Sequence, residues 1–359
     1  MPARVTDGTC LAKLVKLAIP LCRVAQSQPS ATRAGPGRPP EFEDWKIAVL
    51  IMAAILKTRK PKSAQYRFLL DRRKKFQRWL GLKHFPVRST YFKRYRQAYR
   101  IFEAAIALQG QKAIQEGVTT ARNVAADKSL LPARGIPWHG KRRCKGVVPA
   151  ELRGTDRQAD WGYSPYHGWV YGYSYEVLTT ADKGSVHLPL AASAGLAGVS
   201  EHSTFPDKTK RLPKANRFVL VDSGYDSNAL GDGVELDTRG RSTGRRFICP
   251  PNRRNVRGRP TSTHLSSAQR EAQARRWKRI EFYQSPRGQR LYSQRGQSVE
   301  PLHDRLKSLF DLETRVWHRG LANNQTQLLG MIFCYQLLLR YNHRCGRRNA
   351  QVKWIMESI

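Results

Sequence analysis

Asp222 ends a short apolar run and is followed at once by a glycine turn. Residues 217–227 read Arg-Phe-Val-Leu-Val-Asp-Ser-Gly-Tyr-Asp-Ser. Residues 218–221 are too few and too β-branched for a good helix, so they predict a buried strand. Ligands of open α/β sheets bind outside the carboxyl ends of the strands, which makes Asp222 a candidate site residue. Because aspartate also favours turns, Asp222 could instead serve only to open the turn with Gly224.

Two further carboxylates stand out in a chain that is poor in acidic residues. Asp127 also ends a short apolar run, and Glu300 lies seven positions before Lys307 in a helical segment. Seven residues are two helical turns, so Glu300 and Lys307 project from nearly the same face. Two Mg²⁺ ions about 3.5–4 Å apart can activate a hydroxyl nucleophile and stabilise the leaving oxygen of a phosphodiester. Mg²⁺ prefers oxygen ligands and keeps several waters, so a few carboxylates suffice.

The charge of the chain points to a polyanionic partner. Its 359 residues include 64 Lys and Arg against 27 Asp and Glu, a formal net charge of +37, spread over the whole length. Such an imbalance repels itself in a compact fold unless a polyanion binds. Nucleic acid is the leading partner. An anionic membrane surface is the second possibility, but no apolar run reaches the roughly 18–20 residues needed to span a bilayer.

The six cysteines are scattered, with no Cys-x-x-Cys pair. This spacing argues against a zinc site and a disulfide framework, and it suits a reducing, cytoplasmic compartment.

Residues 1–36 are predicted to form an N-terminal arm and linker. Residues 11–22 could be mistaken for a signal peptide, but lysines interrupt the apolar region, so a short amphipathic helix is expected. Residues 26–40 are rich in Pro, Gly and Ser, which break regular structure. The Gly-Arg-Pro unit at Gly37–Pro39 could lie in a DNA minor groove or belong to an ordinary linker.

Residues 37–117 are predicted to form an all-α, helix-turn-helix-like DNA-binding domain. After two packing helices, residues 86–95 open a third, with Ser89 as a good N-cap. Its face mixes basic and tyrosine side chains, as a helix that reads DNA would. The alternative is a solvated basic face on a helical bundle. The candidate DNA-binding residues are Arg88, Lys93 and Arg94.

Residues 118–345 are predicted to form an α/β domain. Apolar runs predict strands at 123–127, 169–180, 186–192, 218–221 and 246–249. Helical patterns follow at 266–279, 302–312 and 322–341. A meander of strands followed by further strands and terminal helices indicates a mixed sheet with flanking helices. Residues 250–290 are a basic insertion, and residues 346–359 are a C-terminal tail.

The order and spacing of these motifs, from about residue 37 to 341, resemble the DDE transposases of bacterial insertion sequences. The specific parts are the Val-x-x-Asp-x-Gly-Tyr-Asp pattern at residues 219–226 and a Tyr-Arg-Glu-Lys type signature. The members of that signature are Tyr292, Arg295, Glu300 and Lys307. Asp127-Lys-Ser looks like the first aspartate of the family. The resemblance implies a ribonuclease H-like fold for the catalytic domain.

The resemblance also implies roles for these residues. Asp127, Asp222 and Glu300 would be catalytic and would bind two Mg²⁺ ions, with Mn²⁺ as a substitute. Phosphates beside the scissile bond would be held by a second group: Tyr292, Arg295 and Lys307. Lys307 could alternatively be a surface lysine on an amphipathic helix. The partner would be double-stranded DNA, namely the terminal inverted repeats and the target DNA, bound by a homodimer. No membrane partner is implied.

The chain departs from the largest group of this family at one position. Four residues separate Arg295 from Glu300, where that group has three. On a continuous helix five steps place the two side chains about 140° apart. Pro301 disfavours helical geometry at Glu300. We therefore expect the helix to begin near residues 298–301, with Arg295 on the preceding loop.

Three functions fit the sequence. The first is a transposase that binds terminal inverted repeats and catalyses Mg²⁺-dependent strand cleavage and strand transfer, associated with the bacterial nucleoid in the cytoplasm. The second is a transposase-derived DNA-binding protein without catalysis, and the third is a ribonuclease H-like nuclease.

Asp226 is expected to be a turn or cap. The reserve candidates for the site are Asp160, Glu176, Glu201, His202 and Asp304.

Overall fold

The computed structural model describes residues 9–28, 41–138, 152–252 and 266–359. The Gly-Arg-Pro unit at Gly37–Pro39 and much of the basic insertion, residues 253–265, lie outside these ranges. No helix in the described ranges combines the length and the apolarity needed to cross a bilayer.

The N-terminal third is helical. Its helices are α1 (Cys10–Gln26), α2 (Asp44–Leu56), α3 (Lys62–Asp71), α4 (Arg73–Leu80), α5 (Arg88–Tyr95) and α6 (Tyr99–Gln115). Helix α2 is apolar on all sides and is buried along most of its length, as expected of a central helix. The amphipathic helix predicted within residues 11–22 is confirmed as α1. It packs against α2 and α6, so this segment belongs to the core and is not a free arm.

Six strands of the described residues form one mixed sheet. They are β1 (Asn123–Pro132), β2 (Asp160–Ser164), β3 (Gly168–Thr180), β4 (Pro189–Leu196), β5 (Phe218–Leu220) and β6 (Arg246–Ile248). Strand β3 runs antiparallel to β1 on one edge and to both β2 and β4 on the other, whereas β5 and β6 continue the sheet parallel to β1. The α/β class and the mixed sheet are confirmed. The sequence had not predicted β2.

The part of the chain that the structure describes after β4 contains six further helices. They are α7 (Glu201–Thr209), α8 (Asn228–Glu235), α9 (Ser267–Gln284), α10 (Pro286–Leu309), α11 (Leu321–Arg344) and α12 (Lys353–Glu357). Two hydrophobic clusters join the helices to the sheet. The larger joins α1, α2, α6 and α11 to the sheet, and the smaller places Val299 of α10 against Ala125 and Leu220. The core is therefore continuous across the predicted boundary at residue 117.

Helix α10 differs from the prediction because it is continuous. It begins at Pro286, where the Ser285 hydroxyl accepts a hydrogen bond from the Gly288 amide at 3.1 Å. A serine N-cap followed by proline at the first helical position is a strong start signal. Pro301 lies inside the helix. The predicted start near residues 298–301 is therefore wrong, and Arg295 and Glu300 share one helix.

The C-terminal tail also packs against the core. Val352 and Ile355 are buried beneath the ends of the N-terminal helices and α11. Residues 346–359 thus end in a short docked helix, α12.

Candidate active site

The parallel register of β1 and β5 brings two of the predicted carboxylates together. Asn123 lies opposite Phe218, and Ala125 lies opposite Leu220. Continuing this register by two residues places Asp127 beside Asp222, on strands about 5 Å apart. Side chains alternate between the faces of a sheet, so both aspartates share the face of Ala125, which packs against α10. The sheet therefore positions the pair.

The guanidinium group of Arg295 stands between the two aspartates. Its Nη2 donates to Asp127 Oδ1 at 2.8 Å and lies 3.5 Å from Asp222 Oδ2. Burial disfavours the charged form of Arg295, but the two carboxylates outweigh it and raise the pKa of the guanidinium. Arg295 thus occupies the place that a cation bound by both aspartates would take.

The second oxygen of Asp127 faces His303. His303 Nε2 lies 3.4 Å from Asp127 Oδ2, an ion-pair distance without hydrogen-bond geometry, and Nδ1 lies 3.0 Å from the Tyr175 hydroxyl. Burial raises the pKa of Asp127, but His303 and Arg295 outweigh burial and hold it below its usual value. Both oxygens of Asp127 therefore face cationic or polar groups of α10.

Asp222 is more open than Asp127. Its side chain is 43% exposed, and its Oδ1 accepts a hydrogen bond from the Gly224 amide at 2.8 Å. A Cβ at Gly224 would lie 2.9 Å from that oxygen, which explains the glycine. Burial, with smaller contributions from Asp127 and Glu201, raises the pKa of Asp222 against the opposing effect of Arg295. Asp222 thus opens the turn and also faces the site.

Glu300 lies apart from the two aspartates. Its side chain is exposed and lies along its own helix, where its Oε1 would be 3.5 Å from a Cβ at Gly296. The continuous helix explains this placement, because about 140° separate Glu300 from Arg295. Within the described ranges Glu300 makes no hydrogen bond or ion pair, and no three metal-ligating side chains form a group. The structure brings together two of the three predicted carboxylates.

The donors present fit a divalent cation only in part. Asp127 and Asp222 supply the one or two carboxylates that Mg²⁺ takes from proteins in phosphate-transfer sites. A cation bound by Asp127 Oδ1 and Asp222 Oδ2 would have to displace Arg295, whose Nε has no hydrogen-bond partner among the described residues. The third carboxylate stands outside this arrangement.

The two remaining members of the predicted Tyr-Arg-Glu-Lys pattern also lie on α10. Tyr292 packs edge-on against Tyr283, with ring centroids 5.1 Å apart, and burial raises the pKa of its hydroxyl to about 12. Lys307 lies in the last turn of α10 and forms no ion pair in the described part of the chain. Two helical turns separate Lys307 from Glu300, so these two side chains share a helix face, as predicted.

The candidate DNA-binding residues on α5 divide into two classes. Arg88 and Lys93 are exposed. Arg94 is buried, pairs with Asp44 at 2.9 Å and donates to the Phe42 carbonyl. This corrects the prediction that Arg94 contacts DNA, because its guanidinium group is buried in the core and already paired with Asp44. The other predicted features of this helix also differ, since its tyrosines pack inward and Ser89 makes no cap.

The reserve candidates are mostly structural. Glu176 is buried against Lys208, and Asp226 pairs with Arg276 at 2.6 Å to hold α9. Glu201 lies 3.4 Å from Lys128, and His202 Nε2 lies 2.9 Å from the Gly224 carbonyl. Two stand away from the aspartate pair: Asp160, at the start of β2, and Asp304, exposed on α10.

His303 was missed by the sequence interpretation. It lies eight positions after Arg295, about 80° around the same helix, so both side chains reach Asp127. The Ser285-Pro286 start signal was present in the sequence and would have placed both residues on one helix.

Comparison with known proteins gives one family. The sequence model of the family described as transposase DDE domain matches residues 122–337. No curated protein matches the chain. Among solved structures, the cryo-EM structure of a piggyBac transposase synaptic complex with hairpin DNA has a TM-score of 0.39 and 14% sequence identity, covering 98% of this chain and 76% of that chain.

Proposed function

Because the chain belongs to the transposase DDE domain family, we propose that it is an active DNA transposase of a bacterial insertion sequence. It would bind the terminal inverted repeats of the element, hydrolyse a DNA strand to a 3′-hydroxyl and direct that hydroxyl at target DNA. The observation that carries the proposal is the convergence of Asp127 and Asp222 on the Arg295 guanidinium. The charge of +37 supports DNA as the partner.

Asp127 and Asp222 are the proposed metal ligands, with Glu300 as the third. Bound Mg²⁺ would activate the attacking oxygen and stabilise the leaving oxygen of the phosphodiester. Arg295 would leave the aspartates and pair with a phosphate, for which its planar fork is suited. His303 would keep Asp127 oriented. Tyr292 and Lys307, on the same helix as Arg295, would hold neighbouring phosphates.

Replacing Asp222 with Asn tests this assignment. The Asp222→Asn and Asp127→Asn variants are expected to lose Mg²⁺-dependent cleavage of DNA carrying the ends of the element while still binding that DNA. The matched control is Glu313→Gln, an exposed carboxylate beyond α10, which should cleave normally. Unchanged cleavage by Asp222→Asn would refute the proposal. Strand-transfer products from a mini-transposon would separate a transposase from a nuclease, which yields none.

The second candidate function is DNA binding without catalysis. It is favoured by the placement of Glu300, exposed and apart from the aspartates, and by the arginine between them. Calorimetry with Mn²⁺ on the wild-type protein and on Glu300→Ala decides between the two. A weaker heat of binding in the variant supports the catalytic proposal. Equal and absent binding in both supports the inactive protein.

Four further features belong to the proposal. The mixed sheet with helices on both faces supports a ribonuclease H-like fold, and the short helices α3 to α5 support a helix-turn-helix-like reader. A homodimer would hold the two ends of the element, which light scattering of the DNA complex would test. The protein would act on the bacterial nucleoid in the cytoplasm.

A further inference from the structure

A basic cleft lies between the N-terminal helices and the sheet domain. It consists of two cavities, of about 430 Å³ and about 250 Å³, that share Pro61 and Arg134 among their lining residues. The larger cavity is lined by four cations from four separate elements. Lys62 begins α3, Arg88 begins α5, Arg134 follows β1 and Arg319 precedes α11. The two cavities together form the basic cleft.

The four cations of the larger cavity have only neutral partners. Lys62 Nζ donates to Asn323 Oδ1 at 3.0 Å, and Arg134 donates to the Trp317 carbonyl at 3.1 Å. Arg319 donates to the Gly154 carbonyl at 2.8 Å. None of these cations, Arg88 included, forms an ion pair with a carboxylate of the described ranges, and no Asp or Glu lines this cavity.

Arg88 and Lys62 also share one aromatic ring. The Arg88 guanidinium lies 5.1 Å and Lys62 Nζ lies 5.2 Å from the centroid of Phe92. The negative face of an aromatic ring attracts cations, but it does not neutralise their charge. The ring therefore holds two positive charges in place at the wall of the cleft.

The buried groups beside the cleft respond to its positive potential. His318 lines the larger cavity and contacts the Tyr95 hydroxyl at 2.9 Å. Burial, together with the charges of Lys62 and Arg134, lowers the pKa of His318 to about 3. Burial and the charge of Arg96 likewise lower the pKa of Lys62. The fold thus gathers like charges where an anion would relieve their repulsion.

Two helix N-termini add to this potential. Helices α3 and α5 begin at the cleft with Lys62 and Arg88, and neither has a side-chain hydrogen bond capping its first turn. Unsatisfied amides and the positive end of the helix dipole favour bound phosphate. Arg94 and Arg340, which are buried, are in contrast neutralised by Asp44 and Glu116.

We propose that the basic cleft binds the phosphodiester backbone of duplex DNA, as a subsite separate from the aspartate pair. This rests on DNA being the partner, as in the proposed function, but it does not require cleavage. The cations extend into the smaller cavity through Lys60 and Arg315, although Lys60 also pairs with Asp311. A row of cations suits successive phosphates better than a single anion.

The position of the cleft separates it from the chemistry. Arg134 lies seven residues beyond Asp127 on the chain, roughly 20 Å at the rise of a β-strand. At about 3.4 Å per base pair, that is on the order of six base pairs of a duplex. The cleft and the aspartates would therefore contact different phosphates of the same DNA.

The test measures how DNA binding depends on salt in the full-length protein. Arg134→Gln, Arg319→Gln and Lys62→Gln are made in an Asp222→Asn background, which prevents cleavage. Anisotropy titrations from 50 to 200 mM salt use two 30-base-pair duplexes, one of arbitrary sequence and one carrying an end of the element. Each variant should weaken both duplexes and lower the slope of log K against log salt by about 0.9. Lys353→Gln, an exposed α12 lysine facing Glu357 at 3.9 Å, is the control and should change neither.

The outcomes separate the cleft from the catalytic site. Unchanged slopes in all three folded variants would overturn the proposal, and so would weakening confined to the end duplex, which indicates base readout. Circular dichroism checks the fold, and the exposed Arg134 and Arg319 variants keep the test valid should Lys62→Gln unfold. If Asp222→Asn still cleaves DNA while the cleft variants lose slope, only the proposed catalytic function fails.

Discussion

Opposite faces of the same sheet carry two different carboxylate groups. Asp127 lies opposite Val177 in the register of β1 and β3, and the next pair joins Lys128 to Glu176. Neighbouring positions on a strand face opposite ways, so Asp127 meets α10 while Glu176 meets α7. Glu176 is 3% exposed and accepts hydrogen bonds from Lys208 at 2.6 Å and from Tyr225 at 2.9 Å.

The difference lies in how completely each acid is satisfied. The oxygens of Glu176 are taken up by donors of the protein, Thr204 among them, so this group stabilises the fold. Asp222 Oδ2 lies 3.5 Å from Arg295, accepts no hydrogen bond from the residues that the structure describes, and stays partly open to solvent. An incompletely paired carboxylate can accept a ligand, whereas a closed ion pair cannot do so without unfolding its surroundings.

The largest effect is expected from breaking the closed group. Glu176→Ala removes the one carboxylate that the buried Lys208 ammonium contacts and leaves only the more distant Glu103 and Asp207, which should lower the free energy of unfolding by about 3–5 kcal/mol. Asp222→Ala should change it by less than about 1 kcal/mol, as its side chain is partly exposed. Urea denaturation measures both. The double variant Glu176→Ala with Lys208→Met should recover stability. Equal losses of stability in Glu176→Ala and Asp222→Ala would contradict the comparison.

A smaller effect is expected in the pH dependence of stability, to which Asp127 and Asp222 should contribute with opposite signs. The pKa of Asp127 is lowered, so its charge stabilises the fold above its unfolded pKa, and this contribution is lost as pH falls through the folded pKa. The pKa of Asp222 is raised, so the folded state binds its proton more readily and stability falls as pH rises through that pKa.

At pH 7, Asp127→Asn should therefore cost about 1.5–3 kcal/mol, through lost charge-assisted contacts with Arg295. Asp222→Asn should cost nothing or stabilise slightly. Unfolding measured from pH 3 to pH 7 checks both signs. A cost in Asp222→Asn that matches the cost in Asp127→Asn would show that the two acids are equally structural.

The smallest effect concerns the turn that connects the two groups. Gly224 donates to Asp222, and its neighbour Tyr225 donates to Glu176. Gly224→Ala places a Cβ 2.9 Å from Asp222 Oδ1, which should cost about 1 kcal/mol and shift the aspartate. The control is Gly233→Ala in α8, where a Cβ meets nothing within 4 Å and a small gain is expected. Thermal unfolding and DNA cleavage together report the result.

Local patterns predicted the elements that bear the aspartates. Apolar runs ending in Asp127 and Asp222 predicted β1 and β5. Asp222 lies just beyond the carboxyl end of β5, as proposed, whereas β1 continues to Pro132 and Asp127 lies within this central strand. This worked because short β-branched runs have few alternatives to a buried strand. The prediction for Arg94 was wrong because a basic helix pattern does not show which arginine has a buried acid such as Asp44 nearby.

The amino-acid order by itself indicated the transposase family, the mixed α/β class and the two aspartates that end apolar runs, since these depend on period, composition and turns within short windows. Tertiary structure alone decided which charged groups meet. The continuous α10 delivers Arg295 and His303 to Asp127 and carries Glu300 away from it. The cations of the basic cleft likewise come from four elements far apart in sequence, and no local pattern records which side chains the packing of helices will bring together.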